Sequence, residues 1–308
     1  LSVHIENLTI RYGPQVAVDS VTVDFPQGST GLLGPNGAGK SSIIKALLGL
    51  VPVSAGSAVI LGRNAVQDNK MIRQLVGYMP EDDCLIPGLT GLEMVRYAGE
   101  LSGMPPKDAM QRAHDVLFAV GLGEARYRKV ETYSSGMKQR IKLAQAVVHD
   151  PKLLFLDEPT SGMDPRGRQE MLDLILQIPS RGTMSVVLAT HILPDVERTC
   201  GRVVILNRGR VAENAKVEDL RGTYANAYNV RVDGDREEFE KRLTKQGCEI
   251  KSEGKADFDV TLPKGKDSDM ILRTARDSGV VLRKLVPSIQ TLEEVFVKKL
   301  REGGDAGL

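Results

Sequence analysis

Residues Gly34-Pro35-Asn36-Gly37-Ala38-Gly39-Lys40-Ser41 decide how this chain of 308 residues is read. The spacing G-x-x-x-x-G-K-[ST] follows the apolar run Thr30 to Leu33. It precedes a run in which Ile43, Ile44, Leu47 and Leu48 share one helical face. Strand, glycine-rich loop and helix is the setting this motif requires. Gly34, Gly37 and Gly39 let the backbone curl so that successive N–H groups face inward toward phosphate oxygens. The helix beginning near Lys40 adds its positive N-terminal end. Lys40 supplies a point charge for β- and γ-phosphates, and Ser41 offers a hydroxyl to Mg²⁺. Ser42 closes the nucleotide-binding stretch.

A second stretch, Leu153-Leu-Phe-Leu-Asp157-Glu158, is an apolar strand ending in two carboxylates. Beside a phosphate loop, an acid at such a strand end helps to hold Mg²⁺, and Asp157 takes that place. Glu158, one residue on, stands where a base could polarise water toward the γ-phosphate.

Composition narrows the rest. Apolar residues are 41% and charged residues 26%, enough for a globular core, and the length suits about two domains. The net charge of +1 argues against nucleic acid as a partner. Aromatic residues are 4% and Trp is absent, which argues against the stacking platforms of single-strand binders. Cys84, Cys200 and Cys248 are far apart, odd in number and without metal-site spacing, as in a reducing compartment. No signal-peptide pattern opens the chain. The most apolar window, Ile43 to Gly62, is broken by Gly49, Pro52 and Gly56, and reads as helix, turn and strand rather than as a membrane span.

Alternating elements are expected before residue 222. Ile5 to Arg11 and Val21 to Phe25 read as antiparallel strands. The runs Leu153 to Leu156 and Ser185 to Ala189 read as buried parallel strands. A helical insert occupies about residues 85–150, with Thr90-x-x-Glu93 as a capping box and a further helix from Lys107 to Val120. Charged residues make up about 38% of residues 225–308, against about 22% before them. With Gly222 closing a short helix, the boundary is set at 1–222 and 223–308. The second part alternates strand and helix: Tyr228 to Val232, Arg236 to Gln246, Phe258 to Leu262, Asp269 to Asp277, Val280 to Val286, and a last helix from Thr291 to Lys299. That order predicts a small α+β domain of ferredoxin-like type.

Further segments carry a resemblance. Tyr133-Ser134-Ser135-Gly136-Met137-Lys138-Gln139-Arg140 resembles the signature motif of ABC-type ATPases. Ser161-Gly-Met-Asp164 resembles their D-loop, Ala189-Thr-His191 their switch-histidine segment, and Arg11-Tyr12-Gly13 their adenine-stacking segment. The order along residues 1 to 222 also matches. The tail ending Pro287-Ser-Ile-Gln-Thr-Leu-Glu-Glu-Val-Phe is similar to the extension of ATPase subunits of drug- or sodium-export type.

The resemblance implies an α/β fold of P-loop NTPase type with a helical insert, and a subunit that binds and hydrolyses ATP with Mg²⁺. It also implies a head-to-tail pair of nucleotide-binding domains, either a homodimer or two paired domains. A membrane permease, encoded separately, is the expected partner, and the location is the cytoplasmic face of the membrane, peripheral through that permease. Phosphate-loop residues 34–42 would hold ATP, with Pro35, Asn36 and Ala38 contributing backbone. Tyr12 would stack on adenine. Ser134, Ser135, Gly136 and Met137 would meet the partner's γ-phosphate, and Asp164 is either a D-loop contact or simply the N-cap before Pro165. His191 would reach the γ-phosphate and attacking water.

Two segments depart from the pattern. The signature has Ser135 where glycine is usual and Met137 where an amide is usual. In Val76-Gly-Tyr-Met-Pro-Glu81, glutamate stands where many relatives have glutamine, so Glu81 is either a third oxygen on the metal side or a solvated loop acid. Leu85, Ile86 and Leu89 are either local core or the seat of a permease helix. Two alternatives stay open. One is a soluble ATPase acting on nucleic acid or ribosomes, disfavoured by the single phosphate loop, the lack of heptads and the charge balance. The other is a module that holds ATP without turnover, disfavoured by Lys40, Asp157, Glu158 and His191.

Overall fold

The computed structural model describes residues 1–178, 184–220, 223–252, 257–263, 266–289, 293 and 296. They fall into two compact units, Leu1–Val217 and, among the described residues, 218–296.

The first unit opens with β1 (Val3–Tyr12) and β2 (Gln15–Phe25), an antiparallel pair, followed by β3 (Ser29–Leu33) and α1 (Lys40–Leu47). β4 (Ala55–Ile60), β5 (Arg63–Asn64), α2 (Asn69–Leu75) and β6 (Val76–Met79) lead to the helices α3 (Gly91–Leu101), α4 (Pro106–Ala119) and α5 (Ser135–Val147). Then come β7 (Leu153–Asp157), α6 (Pro165–Gln177), β8 (Ser185–Thr190), α7 (Leu193–Thr199), β9 (Arg202–Asn207), β10 (Arg210–Lys216) and the short α8 (Val217–Leu220). One sheet has the order β2-β1-β4-β5; the other has β10-β9-β3-β8-β7-β6. In the second, β9, β3, β8, β7 and β6 run parallel, and β10 joins antiparallel at the edge. Every residue of β7 and β8 is buried, which is why both read as unbroken apolar runs.

Register positions the site. Leu33 pairs with Thr190 and Ile205, Asp157 with Ala189, and Met79 with Leu156. The carboxyl ends of β3, β8, β7 and β6 therefore lie along one rim, the edge at which open α/β sheets bind ligands. Between the sheets, Ile5, Leu8 and Ile10 pack with Ile43, Ile44, Phe155 and Val187 in one core. This core fixes α1, and with it the phosphate loop, against the strands.

The capping box at α3 forms as the spacing predicts. Glu93 N donates to Thr90 Oγ1 (3.2 Å) and Thr90 N donates to Glu93 Oε2 (2.8 Å). The window Ile43 to Gly62 is α1, a turn and β4. Among the described residues no helix is long and apolar enough to cross a membrane.

The second unit runs β11 (Thr223–Asp233), α9 (Arg236–Lys245), β12 (Glu249–Ser252), β13 (Asp257–Thr261), α10 (Asp269–Ser278) and β14 (Val281–Ile289). Its sheet is antiparallel throughout, in the order β12-β13-β11-β14. This β-α-β-β-α-β course is the ferredoxin-like arrangement expected of the tail. Phe239 and Leu243 of α9 and Ile271 of α10 bury against Val230, Phe258 and Val260. The expected end of a helix at Gly222 and, except for Glu293 and Phe296, the last helix lie outside the described residues.

Candidate functional site

The site begins with a backbone shape that glycine makes possible. Gly39 has φ +103°, and a Cβ there would stand 2.7 Å from the carbonyl oxygen of Ala17; a Cβ on Gly34 would stand 2.5 Å from that of Leu206. With Gly39 as its N-cap, α1 has no side chain bonded to its first N–H groups, so these donors are left for an anion. Lys40 is 5% exposed, and its Nζ donates to the carbonyls of Gly34 (2.8 Å) and Pro35 (3.3 Å). The lysine therefore closes the loop from beneath.

Glu158 faces that lysine. Its Oε1 is 3.5 Å from Lys40 Nζ, and both side chains are buried. Oε1 also accepts from the N–H of His191 (3.0 Å) and lies 3.0 Å from His191 Nδ1, while Oε2 accepts from Thr190 Oγ1 (3.0 Å). Glu158 itself has φ +49°, a left-handed conformation uncommon for a non-glycine residue and often found at working sites. His191 is half-exposed, so the carboxylate is enclosed and the imidazole opens to solvent.

Asp157, at the end of β7, is buried, and burial pushes its carboxyl above the usual range; a hydrogen bond from Ser41 acts in the opposite sense. Its Oδ1 has no hydrogen-bond partner. Glu81 follows β6 and adds negative charge to the same corner. Hydroxyl, buried carboxylate and a second acid are hard oxygen donors, and an orphaned buried oxygen fits a cation that supplies the missing partner. Among the described residues no cluster of three or more His, Cys, Asp or Glu stands ready to hold a metal.

Tyr12 ends β1, is 45% exposed, and its hydroxyl lies 3.4 Å from Ser42 Oγ. An aromatic ring is thus presented beside the first turn of α1. The signature segment is elsewhere. Ser134 caps α5, accepting from Met137 N (3.4 Å), and Ser135 Oγ donates to the carbonyl of Gly162 (2.8 Å). Ser135 is therefore turned toward the turn at residues 161–164. Gln139 Nε2 donates to the carbonyl of Ser161 (3.0 Å), a second tie to the same turn. Asp164 caps α6 through Gly167 N (2.6 Å). Ile86 is 42% exposed, and Leu85 and Leu89 are half-buried.

Structure adds residues that the motifs alone did not assign. Thr190 holds Glu158 from within the quoted Ala189-Thr-His191 stretch. Tyr78 lies within Val76 to Glu81, and its buried hydroxyl also lacks a hydrogen-bond partner. Burial, then the charge of Asp157, raise its phenol well above the usual range. Lys142 of α5 has no motif signal at all.

Comparison with known proteins agrees with this geometry. A family model described as ABC transporter matches residues 18–161. The ATP-binding protein YxlF of Bacillus subtilis is 32% identical over 96% of this chain and 98% of its own length. The linearmycin resistance ATP-binding protein LnrL of B. subtilis is 37% identical over 70% of this chain and 69% of its own. The daunorubicin/doxorubicin resistance ATP-binding protein DrrA of Streptomyces peucetius is 30% identical over 96% and 87%. A solved ATP-binding subunit of an ABC transporter superposes with a TM-score of 0.65 at 30% identity, covering 72% of this chain and 92% of that one. By its phosphate loop, its rim of carboxylates and these likenesses, the chain belongs to the ABC-transporter family as one of its ATP-binding, ATP-hydrolysing subunits.

Proposed function

We propose that this subunit powers a separately encoded membrane permease, that it works as half of a head-to-tail pair, and that the transport is export. The observation that supports turnover most directly is the Lys40–Glu158–His191 cluster on the rim of the parallel sheet. In this reading residues 34–42 bind the triphosphate through loop N–H groups, Lys40 and Ser41, and Tyr12 stacks on adenine. Ser41, Asp157 and Glu81 would hold Mg²⁺, which when bound neutralises phosphate charge. Glu158 takes the proton of the attacking water, and its three neighbours fix the carboxylate's orientation. His191 is directed by Glu158 through Nδ1, leaving Nε2 for the γ-phosphate.

The contacts of Ser135 and Gln139 run to the D-loop turn at residues 161–162, so beyond the Ser134 cap on Met137 N the first N–H groups of α5 remain for a partner's ATP. Asp164, as the cap of α6, shapes the turn that meets that partner. The exposed Ile86, with Leu85 and Leu89, suits a permease helix and makes the subunit peripheral to the cytoplasmic face of the membrane. Export is supported by the resistance proteins LnrL and DrrA among the relatives, and by the length over which DrrA matches, tail included. The division at residues 222 and 223 would separate the ATPase from an accessory domain that regulates it or contacts its partner. Affinity-tagged chain expressed in its native host, solubilised in detergent and assayed for Mg²⁺-dependent phosphate release tests the reading. A stoichiometric integral membrane protein with ATPase activity is expected. Soluble or ribosomal partners alone, or binding without release, would overturn it.

A further inference from the structure

Lys142 is 1% exposed and among the largest wholly buried side chains of the protein. Its ammonium does not sit on a carboxylate. It donates to the carbonyl oxygens of Pro80 (2.9 Å), Glu81 (2.8 Å) and Asp82 (3.3 Å), three donors to three successive acceptors. Enclosing a charge is costly unless it is well bonded, and a leucine would fill the same space without that cost. The lysine therefore contributes something that packing alone would not. Lys138, one helical turn earlier on α5, binds Asp83 Oδ2 at 2.8 Å. Two lysines on one stripe thus hold residues 80–83.

Both ends of this connection carry candidate chemistry. The held segment includes Glu81, two residues beyond Met79, whose strand partner Leu156 immediately precedes Asp157. The helix that holds it is capped by Ser134, about 12 Å along the axis from Lys142 at 1.5 Å per residue. We propose that Lys142 is a positioning residue: it fixes the backbone of Glu81 and so makes the acid's approach to the Mg²⁺ corner depend on where the signature helix lies. This deepens the reading of Glu81 as a metal-side acid and rests on it. A shift of α5 on meeting a partner's nucleotide would carry residues 80–82 along by their own carbonyls.

The 308-residue chain offers its own reporter. Cys84 is exposed whereas Cys200 and Cys248 are buried, so a thiol-specific spin label attaches beside the held segment. In Lys142→Met, which keeps a long unbranched side chain and removes the donors, the label at residue 84 should become more mobile without nucleotide. The Mg²⁺ concentration that half-saturates hydrolysis should rise several-fold, while metal-free ATP affinity holds. In a Glu81→Gln background Lys142→Met should add no further rise, because the two act through one group. An unchanged spectrum in a folded variant, or a Mg²⁺ effect that is additive with Glu81→Gln, overturns the proposal. If Glu81→Gln alone leaves the Mg²⁺ requirement unchanged, the role of Glu81 fails, and the spectrum still reports on the tether. Should Lys142→Met not fold, Lys142→Arg serves, because its donors lie in one plane rather than in the ammonium's cone toward the three carbonyls, and the label is again expected to loosen.

Discussion

Replacing Glu158 by Gln separates holding ATP from cutting it. The side chain keeps its length, and the amide oxygen can still accept from the N–H of His191, now at Oε1 (3.0 Å). The partners of the other oxygen are less well served, because Thr190 Oγ1, which donates to Oε2, would meet an NH₂ group. Charge-assisted bonds worth about 1.5–3 kcal/mol fall to neutral ones of about 0.5–1.5 kcal/mol. The folded state should therefore lose roughly 1–3 kcal/mol, short of unfolding a domain of ordinary stability. Binding should survive or tighten. Glu158 sits 3.5 Å from Lys40 and competes for the cation that the phosphates need. Lys40 retains the carbonyls of Gly34 and Pro35 in the variant. Turnover is another matter, since the amide cannot take the proton of water. General bases contribute about 10²–10⁴-fold, or about 2.7–5.4 kcal/mol of barrier. Phosphate release by the purified transporter complex, with a fluorescent ATP analogue titrated in parallel, measures both quantities. Hydrolysis near the normal rate would refute the base assignment and move attention to His191. A loss of binding equal to the loss of rate would show that Glu158 organises the loop instead.

Three further outcomes are expected. Lys40→Ala should weaken ATP binding about tenfold to a hundredfold or more, since each charge-assisted bond carries about 1.5–3 kcal/mol; unchanged affinity in a folded variant would remove the phosphate-loop assignment. Gly39→Ala places a Cβ 2.7 Å from the carbonyl of Ala17 at φ +103°, so it should lower stability by about 1–3 kcal/mol and reduce nucleotide binding, read from melting curves with and without ATP. A chain ended at residue 221 keeps the core that seats α1 and should bind ATP as the full chain does, whereas an insoluble fragment would show that the first unit depends on the second.

The chemistry of this protein was legible in its sequence because its parts are local. A phosphate loop is made by consecutive backbone groups, so six residues of glycine-rich chain and a lysine carry nearly the whole device. The carboxylates at 157 and 158 are adjacent and end a run apolar enough to be a buried strand. The ferredoxin-like course of the tail was also legible, because its helices and longer strands keep their own periods. What the sequence could not show depends on register or on distant backbone. β12, four residues of Glu-Ile-Lys-Ser, is too short and polar to stand out and exists because β13 pairs with it. Only the alignment of Leu33, Asp157 and Thr190 across the parallel sheet brings Lys40, Glu158 and His191 within reach of one another. Lys142 reads in the chain as one more lysine on a helix. Its partners are carbonyls about 60 residues earlier, and a main-chain oxygen is the same whatever side chain it carries, so no residue type marks the contact. Sequence determines groups whose role follows from their own neighbours; tertiary structure decides those whose partners are anonymous backbone brought close by packing.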